Sequence, residues 1–290
     1  MSATSRLDAA LLLVRKAGEI AAAAFADANL VVEAKGPGDL VSAADYAIER
    51  LAIEVIGNAF PEDGFVGEEF GGTVNDRGFT WLIDPIDGTV NFARKLGYYC
   101  VSLALLRDGA PIAAWILDPE RDELFHAGPD RLVRLNELPV RCAPTDNITD
   151  AVVGLGFSPR HDQGMRASII NALTEAGAEH RRLGAGALCL AHVAAGRLDA
   201  YIEPHMNPWD AVGGLYLAAC AGAVTSDYLA LGGLEAGAAV LAIAPGISNQ
   251  LLASLPAPLS GTPLHRQNEQ RSAGELRVDR KPSPTVETQR

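Results

Sequence analysis

A layered α/β protein built in two halves is the fold class this sequence predicts, on three observations. A helix pair opens the chain and a run of meandering strands follows it. From about residue 149 strands and helices alternate instead. Across 290 residues, 48% hydrophobic, there is apolar material enough to cover sheets on both faces.

The elements follow in order. Residues 5–28 carry helical spacing, and Arg15, Lys16 and Glu19 interrupt an Ala- and Leu-rich stretch over 11–25 that is too short and too charged to cross a bilayer. Strand-like Leu30, Val31 and Val32 come next, then a loop through Gly36, Pro37 and Gly38. A second helix is expected over 42–60, where Ser42 and Asp45 have the spacing of a capping box with the shorter acid. Short strands are expected at 65–66 and 81–83, then at 100–106, 111–117 and 123–126, with turn signals such as Asp108-Gly109 between them. The later half reads as strand 151–155, helix 164–176, a small-residue helix 185–195, strand 199–202, helix 208–221, buried strand 238–244 and a helix near 247–254. The halves are expected to join near 138–150, giving units over 1–145 and 146–260. Beyond Pro258 the apolar periodicity stops, and 261–290 reads as a disordered tail rich in Arg, Glu, Gln, Ser and Pro.

Charge and composition narrow the function classes. A formal net charge of −12 repels phosphate backbones and argues against a nucleic-acid partner. Cys100, Cys142, Cys189 and Cys220 form no CxxC pair, so reduced thiols in a cytoplasmic protein are expected in place of disulfides or zinc. Residues 1–8 hold no basic segment leading into a signal-type core, and no membrane association is expected. The six histidines form no HExxH pattern; His205, close to Glu203 and Asp210, is a candidate substrate contact.

The chemistry is densest at residues 81–92, WLIDPIDGTVNF. An apolar strand ends in Asp84, turns through Pro85 and Gly88, and enters a short helix. Two carboxylates three apart at a strand end can face one point, and the amides of Gly88 and Thr89 would offer an anion site. A surface Asp-Gly turn is the alternative reading of the same residues. Gly67-Glu68-Glu69 follows an apolar strand upstream, and Trp209-Asp210 opens an apolar helix downstream; alone, these read as a solvated Glu pair and a helix-dipole partner. Together, Glu68, Asp84, Asp87 and Asp210 are hard oxygen donors of the kind magnesium takes, and ions held there would draw in a phosphate despite the acidic surface.

These segments resemble the inositol monophosphatase family, whose signatures are a GEE step, a DPIDGTxNF turn and a later WD. Lys35, with Gly38-Asp39-Leu40-Val41-Ser42 and Asp45, is similar to the family's K…DLVT…D segment, and the resemblance runs over about 8–255. It implies a layered αβαβα sandwich of the sugar-phosphatase type, an N-terminal antiparallel sheet with helices and a C-terminal mixed sheet with helices. It also implies a homodimer, lithium sensitivity and two or three Mg2+ ions per site. Glu68, Asp84 and the Ile86 carbonyl would hold a first ion, and Asp84, Asp87 and Asp210 a second; Glu68 would help to hold a third. Gly88 and Thr89 would bind phosphate through backbone amides. Thr89 and Glu68 would orient the attacking water, with Asp45 supporting Thr89. Gly184, Ala185, Gly186 and Glu203 would face the rest of the substrate, a small phosphorylated metabolite.

Some residues depart from the family pattern: Ala185 and Gly186 replace Ser and Ala, residues 220–223 read CAGA for EAGG, and Asn136-Glu137 replaces Asn-Gly. These leave the acids intact and bear on which alcohol is bound. Inositol monophosphate is the leading substrate, with histidinol phosphate or a sugar phosphate as alternatives. A regulatory, protein-binding role on the same fold is the reading of another class. Asp84 and Asp87 are three apart, not the two of a DxDGT aspartyl-phosphate enzyme, and no P-loop motif occurs. Asp87→Asn is expected to abolish activity with the fold kept.

Overall fold

The computed structural model describes residues 3–36, 39–157 and 163–265. Helix α1 (Ala3–Ala26) leads into a small hairpin of β1 (Val32–Gly36) and β2 (Asp39–Ser42), then α2 (Ala43–Ala59). Next come β3 (Gly64–Gly67), β4 (Gly71–Thr73), β5 (Phe79–Asp87), a one-turn α3 (Thr89–Ala93), β6 (Cys100–Arg107), β7 (Ala110–Asp118) and β8 (Glu123–Ala127). Two short strands, β9 (Arg134–Leu135) and β10 (Leu138–Pro139), close the first sheet. The later half runs β11 (Val152–Leu155), α4 (Gln163–Glu175), β12 (Glu179–Arg181), α5 (Gly186–Ala194), β13 (Ala200–Met206) and α6 (Pro208–Cys220). It ends with β14 (Val224–Ser226), α7 (Gly233–Ala236), β15 (Ala238–Ile243), α8 (Ser248–Ser254) and β16 (Leu264–His265).

Among the described residues the larger sheets have eight strands, ordered β10-β9-β8-β7-β6-β5-β3-β4, and six, ordered β12-β11-β13-β15-β14-β16. The first was expected to be antiparallel, and its meander is, but β3 runs parallel to β5. That parallel pair sends Gly67 and Ile83 side by side toward one sheet end, which the site uses. The second sheet mixes parallel β11–β13 with antiparallel β13–β15.

Alternation along β5 to β7 explains the layers. Trp81, Ile83, Leu103, Leu105, Trp115 and Leu117 pack against α1 and α2. Leu82, Ala104, Leu106, Ala114 and Ile116 face the other way, into a core shared with α5, α6, Tyr201 and Val240. A third cluster places Ile169 and Leu173 of α4 and Leu251 of α8 on the outer face of the second sheet, with Val153 and Ile243. The order of layers is therefore helix, sheet, helix, sheet, helix. The expected join falls between β10 and the 3₁₀ turn Ile148–Asp150, while α5 and α6 of the later half lie between the two sheets. Within 261–265, the described part of the expected tail, Leu264 pairs with Ser226 at the sheet edge. The rest of the expected tail, from 266, and His161 lie outside the described residues, as does the side chain of Lys35. Among the described residues no helix is long and apolar enough to cross a membrane.

Candidate active site

Three elements bring the acids together. Strand β5 is fully extended to Asp84, which pairs with Ser102 on β6; its next partnered residue, Asp87, pairs with Cys100. Three steps on β5 thus match two on β6, a bulge at Pro85 and Ile86. In a regular strand residues three apart point to opposite faces. The extra residue cancels that, so Asp84 and Asp87 share the face of Cys100, Ser102 and Ala104, while Ile86 packs with α1 and α2. The parallel register of β3 places Glu68 immediately after Gly67, the partner of Ile83. Helix α6 meets this end from the other side: the Ser102 hydroxyl donates to the Trp209 carbonyl (3.3 Å), and Asp210 lies in the first turn after Pro208.

The electrostatics follow from that convergence. Burial pushes the Asp84 carboxyl well above the usual carboxylate range, and the charges of Glu68, Asp210 and Asp87 push it further. Asp210 is raised in the same way by burial, with Glu68, Asp87 and Glu203 adding to it, and it shares a hydrogen bond with Asp84. Asp87 is also raised by burial, against the hydrogen bonds it accepts. Those bonds are specific. Asp87 Oδ1 accepts from the Gly186 amide (3.0 Å) and Oδ2 from the amides of Ala187 (2.8 Å) and Leu188 (3.3 Å), and from the Cys100 thiol (3.5 Å). Asp87 therefore caps α5, whose own cap residue, Ala185, has no side-chain acceptor.

Among the described residues no three His, Cys, Asp or Glu side chains form a ready-made metal cage. The donor set nevertheless fits a hard divalent ion. Acids that repel one another in a buried pocket need a proton or a cation between them, and all of the donors are oxygens. Glu68, Asp84, Asp87 and Asp210 are the residues that would hold it.

The turn after the acids is shaped for close contact. Gly88 sits at φ 92°, and a Cβ there would lie 3.0 Å from Ala185 Cβ and 3.2 Å from the Gly184 carbonyl oxygen. The Thr89 hydroxyl donates to the Ile86 carbonyl (3.0 Å). Asn91 Nδ2 donates to the carbonyls of Tyr98 and Leu183, each at 2.8 Å, tying the loop of α3 to residues 183–186. So Gly184, Ala185 and Gly186 lie against the DPIDGT turn. Glu203 is near them: its Oε2 accepts from the Tyr201 hydroxyl (2.6 Å) and would stand 3.5 Å from a Cβ on Gly186. Burial raises Glu203 to about 7.

Asp45 forms the expected capping box, accepting from the Ser42 amide (2.8 Å) and hydroxyl (2.7 Å). Its expected contact to Thr89 is not formed: Oδ1 is buried without a hydrogen-bond partner, and Thr89 is held by Ile86. His205 Nε2 donates to the Ala236 carbonyl (2.9 Å). It lines a cavity of about 900 Å³ with Trp209, Asn207 and Gly71–Val74, which includes none of the four acids. Sequence reasoning missed Glu49, Tyr201 and the bridging role of Asn91. An acid one helical turn after Asp45 on an otherwise apolar face was the available signal for Glu49.

The sequence profile of the inositol monophosphatase family matches residues 3–255. The chain belongs to the inositol monophosphatase family. Membership makes it a phosphomonoesterase of a family that is in general magnesium-dependent. An inositol-1-monophosphatase of Rhizobium meliloti is 37% identical over 250 residues, covering 83% of this chain and 92% of its own. A Nus factor SuhB of Xylella fastidiosa is 38% identical over 202 residues, 69% of this chain and 73% of its own. Among solved structures, extragenic suppressor protein suhB from Bartonella henselae superposes with a TM-score of 0.80 at 28% identity, over 88% of this chain and 99% of that one. The Thermotoga maritima IMPase gives 0.76 at 27%, over 86% and 96%.

Proposed function

We propose that this inositol monophosphatase family member hydrolyses a small phosphomonoester, inositol monophosphate foremost, by direct attack of water without a covalent intermediate. The observation that carries the reading is the meeting of Asp84 and Asp87 on one face of β5 with Asp210 of α6 and Glu68 of the β3–β4 turn. Two or three magnesium ions, when bound, would neutralise these acids, attract the phosphate and lower the pKa of a water. The Thr89 hydroxyl donates its hydrogen bond to the Ile86 carbonyl, which leaves its oxygen free to accept from that water. Glu68 would take the water's second proton as the water oxygen bonds to phosphorus and the P–O ester bond breaks, and a solvent water would return a proton to the leaving alkoxide. The Gly88 and Thr89 amides would hold the phosphate, in a turn whose close contact with Ala185 needs glycine at 88. Glu203, with Tyr201 bonded to it, would receive a substrate hydroxyl beside Gly184, Ala185 and Gly186. Asp45 would support the β2–α2 corner through Ser42. A cytoplasmic homodimer is the setting this reading carries.

The test is phosphate release from inositol 1-phosphate, histidinol phosphate, fructose 1,6-bisphosphate and adenosine 3',5'-bisphosphate, with and without magnesium. Magnesium-dependent turnover favouring the inositol ester is the expected result, and preference for another compound moves the substrate assignment to it. Release that ignores magnesium would sink the mechanism. The relatives named Nus factor SuhB favour a second, regulatory protein-binding role beside catalysis. On that reading an inactive Asp84→Asn chain keeps the regulatory role.

A further inference from the structure

Glu49 is a carboxylate with no solvent exposure, on the apolar face of α2 between Ile48 and Ala52. Burying such a charge is costly unless hydrogen bonds satisfy it. Glu49 Oε2 accepts from the Glu69 amide (2.8 Å) and Oε1 from the Phe70 amide (2.9 Å), 20 and 21 residues along the chain. These are the two residues that follow Glu68. The fit allows no slack, since a Cβ on Gly67 would lie 1.9 Å from Glu49 Oε1. The same helix grips the turn again at Phe70, whose ring contacts Tyr46 (centroids 5.7 Å apart) and lies under the Arg50 guanidinium (5.6 Å). The turn between β3 and β4 is otherwise thin: β4 is an exposed three-residue edge strand with two glycines.

We propose that Glu49 is a positioning residue for the acidic site: its buried carboxylate clamps the Glu69 and Phe70 amides and so holds Glu68 beside Asp84. The inference rests on the reading of Glu68 as a metal ligand. Glu49 touches neither metal nor substrate in this scheme; it acts through the backbone of the turn.

Two measurements on the folded full chain test it. Hydrogen exchange without metal reports whether the Glu69 and Phe70 amides are held. Titration with Mn2+, followed calorimetrically, reports affinity independently of turnover. Glu49→Ala is expected to expose both amides and to weaken Mn2+ binding by about 10–100-fold, the range for groups that orient a metal ligand. Glu49→Gln, which fills the same space and keeps one acceptor, is expected to fall between Ala and wild type, and it carries the test should the alanine variant not fold. Because Glu68 would also take the water's proton, kcat at saturating metal is expected to fall in Glu49→Ala, and less in Glu49→Gln. Asp84→Asn is measured in parallel. Wild-type Mn2+ affinity in the Glu49 variants, with Asp84→Asn impaired, overturns this inference alone, even where thermal stability has dropped. Wild-type affinity in Asp84→Asn as well overturns the metal-site reading beneath it.

Discussion

Asp87 accepts hydrogen bonds from three amides at the start of α5, and this changes what its substitution reports. Asn at 87 keeps one acceptor but turns an N–H toward the other donors, so Asp87→Asn weakens the cap of α5 together with any metal contact, at about 1–3 kcal/mol for the buried donors left unpaired. The expectation that this variant keeps its fold intact therefore passes to Asp84→Asn, which removes one of several mutually repelling buried charges. That variant is expected to fold while kcat falls by about 10²–10³-fold, the scale for removing one preorganised electrostatic group. Phosphate release and thermal unfolding measured together check it. Glu203 makes a sharper test of burial. Its folded-state pKa, about 7, lies above its ordinary value of 4.5, so its contribution to stability is full below 4.5 and is lost as pH rises through 7. Metal-free Glu203→Gln should match wild type near pH 4.5 and gain on it up to pH 8, by on the order of 3 kcal/mol at most. A stability difference that stays flat over that range, measured by denaturant unfolding, would contradict the burial argument. The acids themselves were legible in the sequence because each sits in a short contiguous signature. Glu49 was not, because its partners are backbone amides 20 and 21 residues away, and no side-chain pattern records a backbone contact.

At the scale of elements, the bulge in β5 and the bridge from Asn91 decide whether the acids share a site. The sequence places a strand at 81–83, and the strand runs from Phe79 to Asp87. Pro85 hides its second half, since proline in a strand ordinarily marks its end and only a bulge accommodates it inside. Strands β4, β12, β14 and β16 have two or three residues each. Segments this short carry no measurable alternation, and tertiary pairing alone makes them strands. The long helices were readable for the opposite reason, their caps and apolar spacing being local. Asn91 has a defined cost. Asn91→Ala would leave the Tyr98 and Leu183 carbonyls without their donor, destabilising the protein by about 1–3 kcal/mol. It should also raise KM more than it lowers kcat, because it frees the segment from Leu183 to Ala185, while Asp87 keeps the bonds it accepts from Gly186, Ala187 and Leu188. Equal effects on both constants would show instead that the bridge acts on the metal end of the site.

Across the whole molecule, the site is where the two halves must agree. Asp84, Asp87 and Glu68 come from the first sheet, and Asp210 comes from α6, which the later half lays between the sheets. In a chain with net charge −12 this cluster opposes folding through its own repulsion. A divalent ion bound there reverses the sign and ties α6 to β5, so metal should stabilise the fold by mass action and not only switch on activity. At a hundred times the dissociation constant the gain is about 2.7 kcal/mol, which for a chain of this size is about 4–5 °C in Tm. Thermal unfolding in EDTA and in saturating magnesium measures it directly. Asp210→Asn separates the two contributions: its metal-free Tm should equal or exceed that of wild type, because one buried charge is gone, while its magnesium-induced rise should largely vanish. If magnesium raises Tm equally in both proteins, the ion is binding elsewhere on the acidic surface, and the assignment of Asp210 to the site fails.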